Sequence, residues 1–196
     1  MAYLGVKFRA VLMDNSFPRD IGLGELKSWC TEFYNHGFTP EYEGGSAGNL
    51  SYRVKEGENQ FIITGAGIVS KSKIIDNSLV QVKSCDIEKE IAYYCGTRKP
   101  SSESLVHYAI YQARKDVNAV FHGHSEKILA CADKLAFVQT KQKEPEGTAT
   151  LAKAVLEVLG SENFIVMKEH GFIAMGKTMK EAGDLAIKMQ QKCMGL

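Results

Sequence analysis

Val117-Asn118-Ala119-Val120-Phe121-His122-Gly123-His124 is the stretch on which the reading of this chain turns. The run from Val117 to Phe121 has the length and apolar character of a buried strand, and two histidines one residue apart close it. Along a strand, side chains at i and i+2 point to the same face, with Cα atoms roughly 6.5–7 Å apart. Both imidazoles therefore project together, at a separation that suits one small cation. Imidazole nitrogen binds zinc at about 2.0–2.1 Å, and a catalytic zinc ordinarily keeps three protein ligands and one exchangeable position. Taken alone, the pair reads either as part of a metal site or as a satisfied buried couple.

Two other segments carry candidates for the missing ligands. Pro100-Ser101-Ser102-Glu103 opens an apolar-periodic helix through Leu105, Ala109, Ile110 and Ala113, and Glu169-His170-Gly171 lies between two short strand-like runs. Glu103 and His170 are the residues chosen. A carboxylate at a helix start also stands beside free N–H groups and the positive end of the helix dipole, which favour a substrate phosphate at Ser101 and Ser102.

Elsewhere the pattern predicts a strand from Tyr3 to Met13 and a helix from Leu23 to His36, stopped by Gly37. The glycine-rich turn Gly44 to Asn49 leads into a strand Leu50 to Val54, with Phe61 to Thr64 as its hairpin partner. A second tight turn at Gly65-Ala66-Gly67 precedes strands at Leu79 to Lys83 and Ile87 to Tyr94. Helices are expected at 102–114, 125–133, 148–159 and 178–193, interleaved with strands at 117–122, 135–140, 163–167 and 171–175. The expected fold is α/β (α+β), a three-layer αβα arrangement with helices on both faces of a mainly antiparallel sheet.

The 196 residues, 44% hydrophobic, fit one domain over 1–196 with a full core. With Lys+Arg 24 against Asp+Glu 23, the net charge of +1 gives no reason to expect nucleic acid or a membrane surface as partner. The cysteines at 30, 85, 95, 131 and 193 are odd in number and show no C-x-x-C, so they read as reduced thiols of a cytoplasmic protein. No signal peptide and no membrane span is read.

With these pieces placed, the chain resembles the class II aldolase/adducin family. The likeness rests on Ala47-Gly48-Asn49-Leu50-Ser51-Tyr52-Arg53, Ile63-Thr64-Gly65-Ala66-Gly67, Pro100 to His107, Ala119 to Ser125, Gly147-Thr148 and Glu169-His170-Gly171. These motifs stand in the family's order and cover most of the chain. The resemblance implies that His122, His124 and His170 bind Zn2+ or another divalent cation, and that Glu103 is both a metal ligand and the catalytic acid/base. It further implies phosphate contacts at Gly48, Asn49, Ser101 and Ser102, and a homotetramer with sites at subunit interfaces. At the hydroxyl-bearing position of the family's second phosphate turn this chain has Ala66, so Ala66 and Gly67 can offer only backbone N–H groups there.

The expected activity is zinc-dependent cleavage of a carbon–carbon bond in a small, phosphorylated ketose, the metal polarising the carbonyl and holding the charge of an enediolate. A sugar-phosphate epimerase, dehydratase or decarboxylase, or a non-catalytic adducin-head-like assembly module, are the alternatives. The group that completes proton transfer beside Glu103 is unassigned. His107, at i+4 from Glu103, is read as structural or orienting, His36 as a helix-end residue, and Lys71, soon after the second phosphate turn, as a solvated lysine with a source of charge for that turn as the alternative.

Overall fold

The computed structural model describes residues 6–195. In chain order the elements are β1 (Arg9–Asp14), α1 (Leu23–Asn35), β2 (Glu41–Tyr42), β3 (Gly45–Ser46), β4 (Asn49–Arg53) and β5 (Phe61–Thr64). After a 3-10 turn at Asp76–Ser78 come β6 (Leu79–Asp86), β7 (Ile91–Cys95), α2 (Ser104–Ala113) and β8 (Ala119–Gly123). The chain continues through α3 (Glu126–Cys131), α4 (Ala149–Val158), β9 (Phe164–Met167), β10 (Gly171–Gly176) and α5 (Met179–Met194).

Eight strands form one sheet in the order β1-β7-β6-β5-β4-β8-β10-β9. Every neighbouring pair is antiparallel except β1 with β7. Strand alternation divides the interior in two. On one face Leu50, Ile62, Phe121 and Phe172 pack against Leu26, Cys30 and Phe33 of α1, Ile128 of α3 and Ala182, Ala186 and Met189 of α5. On the other, Phe61, Ile63, Val120 and Ile173 pack against Leu105, Ala109 and Ile110 of α2 and Leu151 and Val155 of α4. Helices thus cover both faces of a mainly antiparallel sheet, as the pattern predicts. The buried side chains of α1 recur at helical spacing, and His36 Nδ1 donates to Glu32 O at 2.9 Å where the helix ends. The helices α3, α4 and α5 start at Ser125, Thr148 and Thr178, whose hydroxyls accept from backbone N–H groups of the first turn.

Several expectations are corrected. Segment 135–140 is no strand: Ala136 takes the left-handed conformation (φ +50°), and only Gln139 bridges to Val166. The predicted strand 87–94 is a turn followed by β7, because Glu90 (φ +51°) reverses the chain. Of the strand expected over Tyr3 to Met13, the part at Tyr3 to Gly5 lies outside the described residues, and β1 occupies Arg9–Asp14. The turn at Gly44–Asn49 contains half of a small hairpin, β2 with β3. Helix α2 begins at Ser104, so Glu103 is its cap residue and Ser101 and Ser102 precede it. The cysteines are not all thiols: α3 lies beside α5, and Cys131 and Cys193 form a disulfide across that contact.

Candidate active site

The site grows from the match between one strand and one helix. On β4, Asn49, Ser51 and Arg53 alternate with Leu50 and Tyr52, so the three polar residues share a face and turn it toward α2. On α2, Glu103, His107 and Tyr111 recur every fourth position and line the helix face that answers them. The amide Nδ2 of Asn49 donates to Glu103 Oε2. Ser51 Oγ lies 2.6 Å from His107 Nδ1 and 2.8 Å from Tyr111 OH. Arg53 ends the row: Nε donates to Val117 O at 2.6 Å, Nη2 donates to Tyr111 O at 2.6 Å and Arg114 O at 2.7 Å, and Nη1 donates to Glu58 O. Its guanidinium also stands 4.5 Å from the centre of the Tyr111 ring. A buried polar layer therefore ties the helix to the sheet and points Glu103 at the end of β8.

His122 pairs with Asn49 across the β4–β8 ladder, and that register puts it beside Glu103, with His122 Nε2 3.3 Å from Glu103 Oε2. His122 Nδ1 donates to Phe172 O at 2.8 Å, a bond that leaves the Nε2 lone pair facing the site. His124 Nε2 lies 3.1 Å from His122 Nε2. His170 arrives from the β9–β10 turn, where Glu169 is left-handed (φ +55°), and its Nε2 lies 3.1 Å from Glu103 Oε1. The ring centres of the three histidines form a nearly equilateral triangle with sides of 4.9, 5.0 and 5.1 Å.

Two glycines make this approach sterically feasible. A Cβ on Gly171 would stand 2.5 Å from Gly123 O, 2.9 Å from the His122 ring and 3.3 Å from the His124 ring. Gly48 (φ +73°) turns the chain into β4, and a Cβ there would meet His122 O at 2.8 Å.

Burial dominates the electrostatics, and the charges then distribute themselves around one anion. Burial alone would raise the Glu103 carboxyl, but His122, the hydrogen bond from His170 and the charges of His170 and His124 hold it well below the usual carboxylate range. His124 is depressed to about 3 by burial and by its two imidazole neighbours. His122 is lowered by burial, with Glu103 opposing. Burial also pulls on His170, yet the hydrogen bond and charge of Glu103 raise it.

A cation fits this donor set. Among the described residues, His122, His124 and His170 form a group able to hold a metal ion, their ligand atoms all within 4.8 Å of one another. Two nitrogens on one tetrahedral zinc stand about 3.3 Å apart at bond lengths of about 2.0–2.1 Å. Two neutral imidazoles and an ionised carboxylate, converging in a space with an accessible side, match a centre that keeps an exchangeable position.

The accessible side is a cavity of about 840 Å³. Glu103, His124 and His170 line it together with Gly48, Asn49, Ala66, Gly67, Ser101 and Ser102, while His122 sits behind them, 1% exposed. The residues named from the sequence as metal ligands and phosphate contacts thus lie around one cavity. Two others are placed differently from the sequence reading. Lys71, read as solvated with a charge-supplying role as the alternative, is 2% exposed and also lines the cavity. Arg53 closes the stretch from Ala47 to Arg53, but no role is read for it there, and the polar alternation of an otherwise buried strand is the signal that could have given one. His107, read as structural, does join the buried layer through Ser51.

Comparison with known proteins identifies the family. The family described as Class II Aldolase and Adducin N-terminal domain matches residues 25–195. A Rhodospirillum rubrum protein named 5-methylthioribulose-1-phosphate/5-deoxyribulose-1-phosphate aldolase is 32% identical over 75% of this chain and 69% of its own length. An L-fuculose phosphate aldolase from Methanocaldococcus jannaschii is 27% identical over 78% of this chain and 83% of its own. Among solved structures, an L-fuculose 1-phosphate aldolase superposes with a TM-score of 0.72 at 21% identity, over 90% of this chain and 84% of that one. The Thermus thermophilus enzyme of the same name gives 0.65 at 21% identity, over 87% and 90%. Profile, relatives and fold coincide, and the chain belongs to the Class II Aldolase and Adducin N-terminal domain family.

Proposed function

We propose that this chain is a divalent-metal-dependent lyase of the aldolase type, cleaving a carbon–carbon bond in a small phosphorylated ketose. The observation that carries the reading is the meeting of Glu103 with His122, His124 and His170 at the edge of one cavity. The names of its relatives, aldolases of 5-methylthioribulose 1-phosphate, 5-deoxyribulose 1-phosphate and L-fuculose phosphate, support the substrate class.

In this reading the three histidines would hold zinc, with the Glu103 carboxylate beside them as a further candidate ligand. The metal, when bound, supplies Lewis acidity at the substrate carbonyl and an electron sink beside it. Glu103 is the catalytic acid/base. In condensation the ionised carboxylate removes a proton from the carbon that attacks the aldehyde; in cleavage, the same path run backwards, its carboxylic acid form returns that proton to the carbon that has lost its neighbour, while the hydroxyl proton of the aldehyde-forming carbon leaves to solvent. Its depressed pKa keeps it ionised when no substrate is present. Asn49 orients the carboxylate through Oε2, and the bond from His122 to Phe172 O holds that imidazole in the tautomer a cation needs. Backbone N–H groups around Gly48 and Gly67 and the hydroxyls of Ser101 and Ser102 are the proposed seat of the phosphate. A homotetramer belongs to the same proposal, and light scattering on the purified protein tests it.

Elemental analysis and a substrate array of phosphorylated ketoses, read by mass spectrometry, test the function. Aldehyde and ketone fragments in equal amounts are expected, lost on chelation and restored by zinc. Glu103→Gln should lower turnover by about 10²–10⁴-fold while the metal is retained. An isomeric or dehydrated product instead of two fragments would move the assignment to an epimerase or a dehydratase. Full activity after complete metal removal would end the proposal.

A further inference from the structure

Lys71 is a buried ammonium that the chemistry above does not use. Its Nζ donates to Ser46 O at 3.3 Å, Ser46 Oγ at 2.8 Å and Ala47 O at 3.1 Å. Ser46 Oγ donates in turn to Ile68 O at 2.7 Å. The four bonds join two walls of the cavity, the segment that leads into β4 and the loop that follows β5.

All three partners of this cation are neutral oxygens, and desolvating a charge among neutral dipoles is unfavourable compared with placing an apolar side chain there. A charge held at that cost has a use. Among the described residues that line the cavity Lys71 is the one lysine or arginine, against the carboxylates of Glu41, Glu103, Glu126 and Glu146. A phosphorylated ligand therefore meets a lining whose only permanent positive side chain is this one. Burial draws the ammonium down to about 8, partly opposed by Cys30 and Glu103, so it stays charged at neutral pH.

Resting on the lyase reading, we propose that Lys71 is the specificity-determining cation of the cavity: it fixes the Ser46–Asn49 wall and supplies the positive charge that selects a phosphate-bearing substrate over a neutral one. The three protons of the ammonium are engaged, so it acts through its field and through the peptide groups it polarises, rather than by touching the ligand. It takes over the role left vacant at Ala66, which has no hydroxyl to offer.

Titration calorimetry with inorganic phosphate, on the full chain with zinc and again after chelation, decides the matter. Lys71→Met removes charge and donors, whereas Lys71→Gln removes charge and keeps a donor for the carbonyls. Both should weaken phosphate binding by about tenfold or more, with Lys71→Arg within about threefold of wild type. In turnover, the ratio of kcat/KM for a phosphorylated ketose to that for its dephosphorylated form should fall by a similar factor, which loss of structure alone would not produce. Unchanged phosphate affinity in a folded Lys71→Gln protein overturns the proposal. So does failure of both charge-removing variants to fold while Lys71→Arg folds, since that assigns Lys71 to structure alone. Phosphate binding that depends on Lys71 in a protein that cleaves no sugar phosphate would instead refute the lyase reading and leave this one standing. Cleavage with phosphate affinity indifferent to Lys71 would do the reverse.

Discussion

The two faces of β4 are built on different principles, though they are one residue apart along the chain. Leu50 and Tyr52 face α1 and α5 and join a cluster in which the rings of Phe33, Phe38, Phe121 and Phe172 meet edge to face or tilted, with centres 5.0–6.3 Å apart. Asn49, Ser51 and Arg53 face α2 and are joined to it by directed hydrogen bonds. The apolar side is held by area and shape, which tolerate small shifts of a helix. The polar side is held by donors and acceptors that lose their value when displaced by an ångström. It is the second that carries Glu103. Along β4, aromatic packing and the hydrogen bonds that place Glu103 thus fall on opposite sides of one strand.

The largest test is on the apolar side. Phe121→Ala should lower unfolding free energy by about 3–5 kcal/mol, while the molecules still folded keep their turnover. Denaturant titration beside activity per folded molecule checks this, and an equal loss of both would show that the two faces are not separable. Lys71 comes next, because its neighbour Cys30 belongs to the apolar cluster. Its folded pKa of about 8 lies below the unfolded value of about 10.4, so the unfolded chain binds more protons between these values. Its contribution to stability must therefore rise as pH climbs from about 8 to about 10.4, by about 3 kcal/mol over the window at about 1.36 kcal/mol per unit. Wild-type protein should gain that amount relative to Lys71→Met, measured by denaturation at each pH, and parallel curves would refute the assignment. The smallest effect on stability is expected from Ser51→Ala, about 1–3 kcal/mol, since His107 and Tyr111 each lose a buried partner. Here turnover per folded molecule should fall as well, because α2 is freed to move Glu103. A variant destabilised to that extent with unaltered turnover would mean that the polar layer supports only the fold.

Much of this division could be read from the chain, and the missing parts share one cause. His122 and His124 announced themselves because the strand period places i and i+2 together, and α1 and α5 because their apolar residues recur at helical spacing. The rows 49, 51, 53 and 103, 107, 111 are equally periodic. Asn49, Glu103 and His107 are legible one by one, but the pairing of the two rows is not, because polar residues on a regular spacing ordinarily mark a solvated face and only tertiary packing gives each its partner. Lys71 was misplaced for the same reason: its three acceptors are backbone and hydroxyl oxygens 24 and 25 residues away in the chain. The segment at 135–140 failed differently. Its residues suit a strand, and a single left-handed residue, Ala136, breaks the extended path. The pairing of Cys131 with Cys193 spans 62 residues and becomes visible only once α3 and α5 lie side by side.

His170 stands on a hairpin turn, later in the sequence than Asn49, Glu103 and His122, and it reaches them only because β10 has zipped onto β8. Without that hairpin, Asn49, Glu103 and His122 would stand together and the carboxylate would lack one imidazole. On the proposed reading, the site is therefore completed last, when the C-terminal hairpin brings His170 to Glu103.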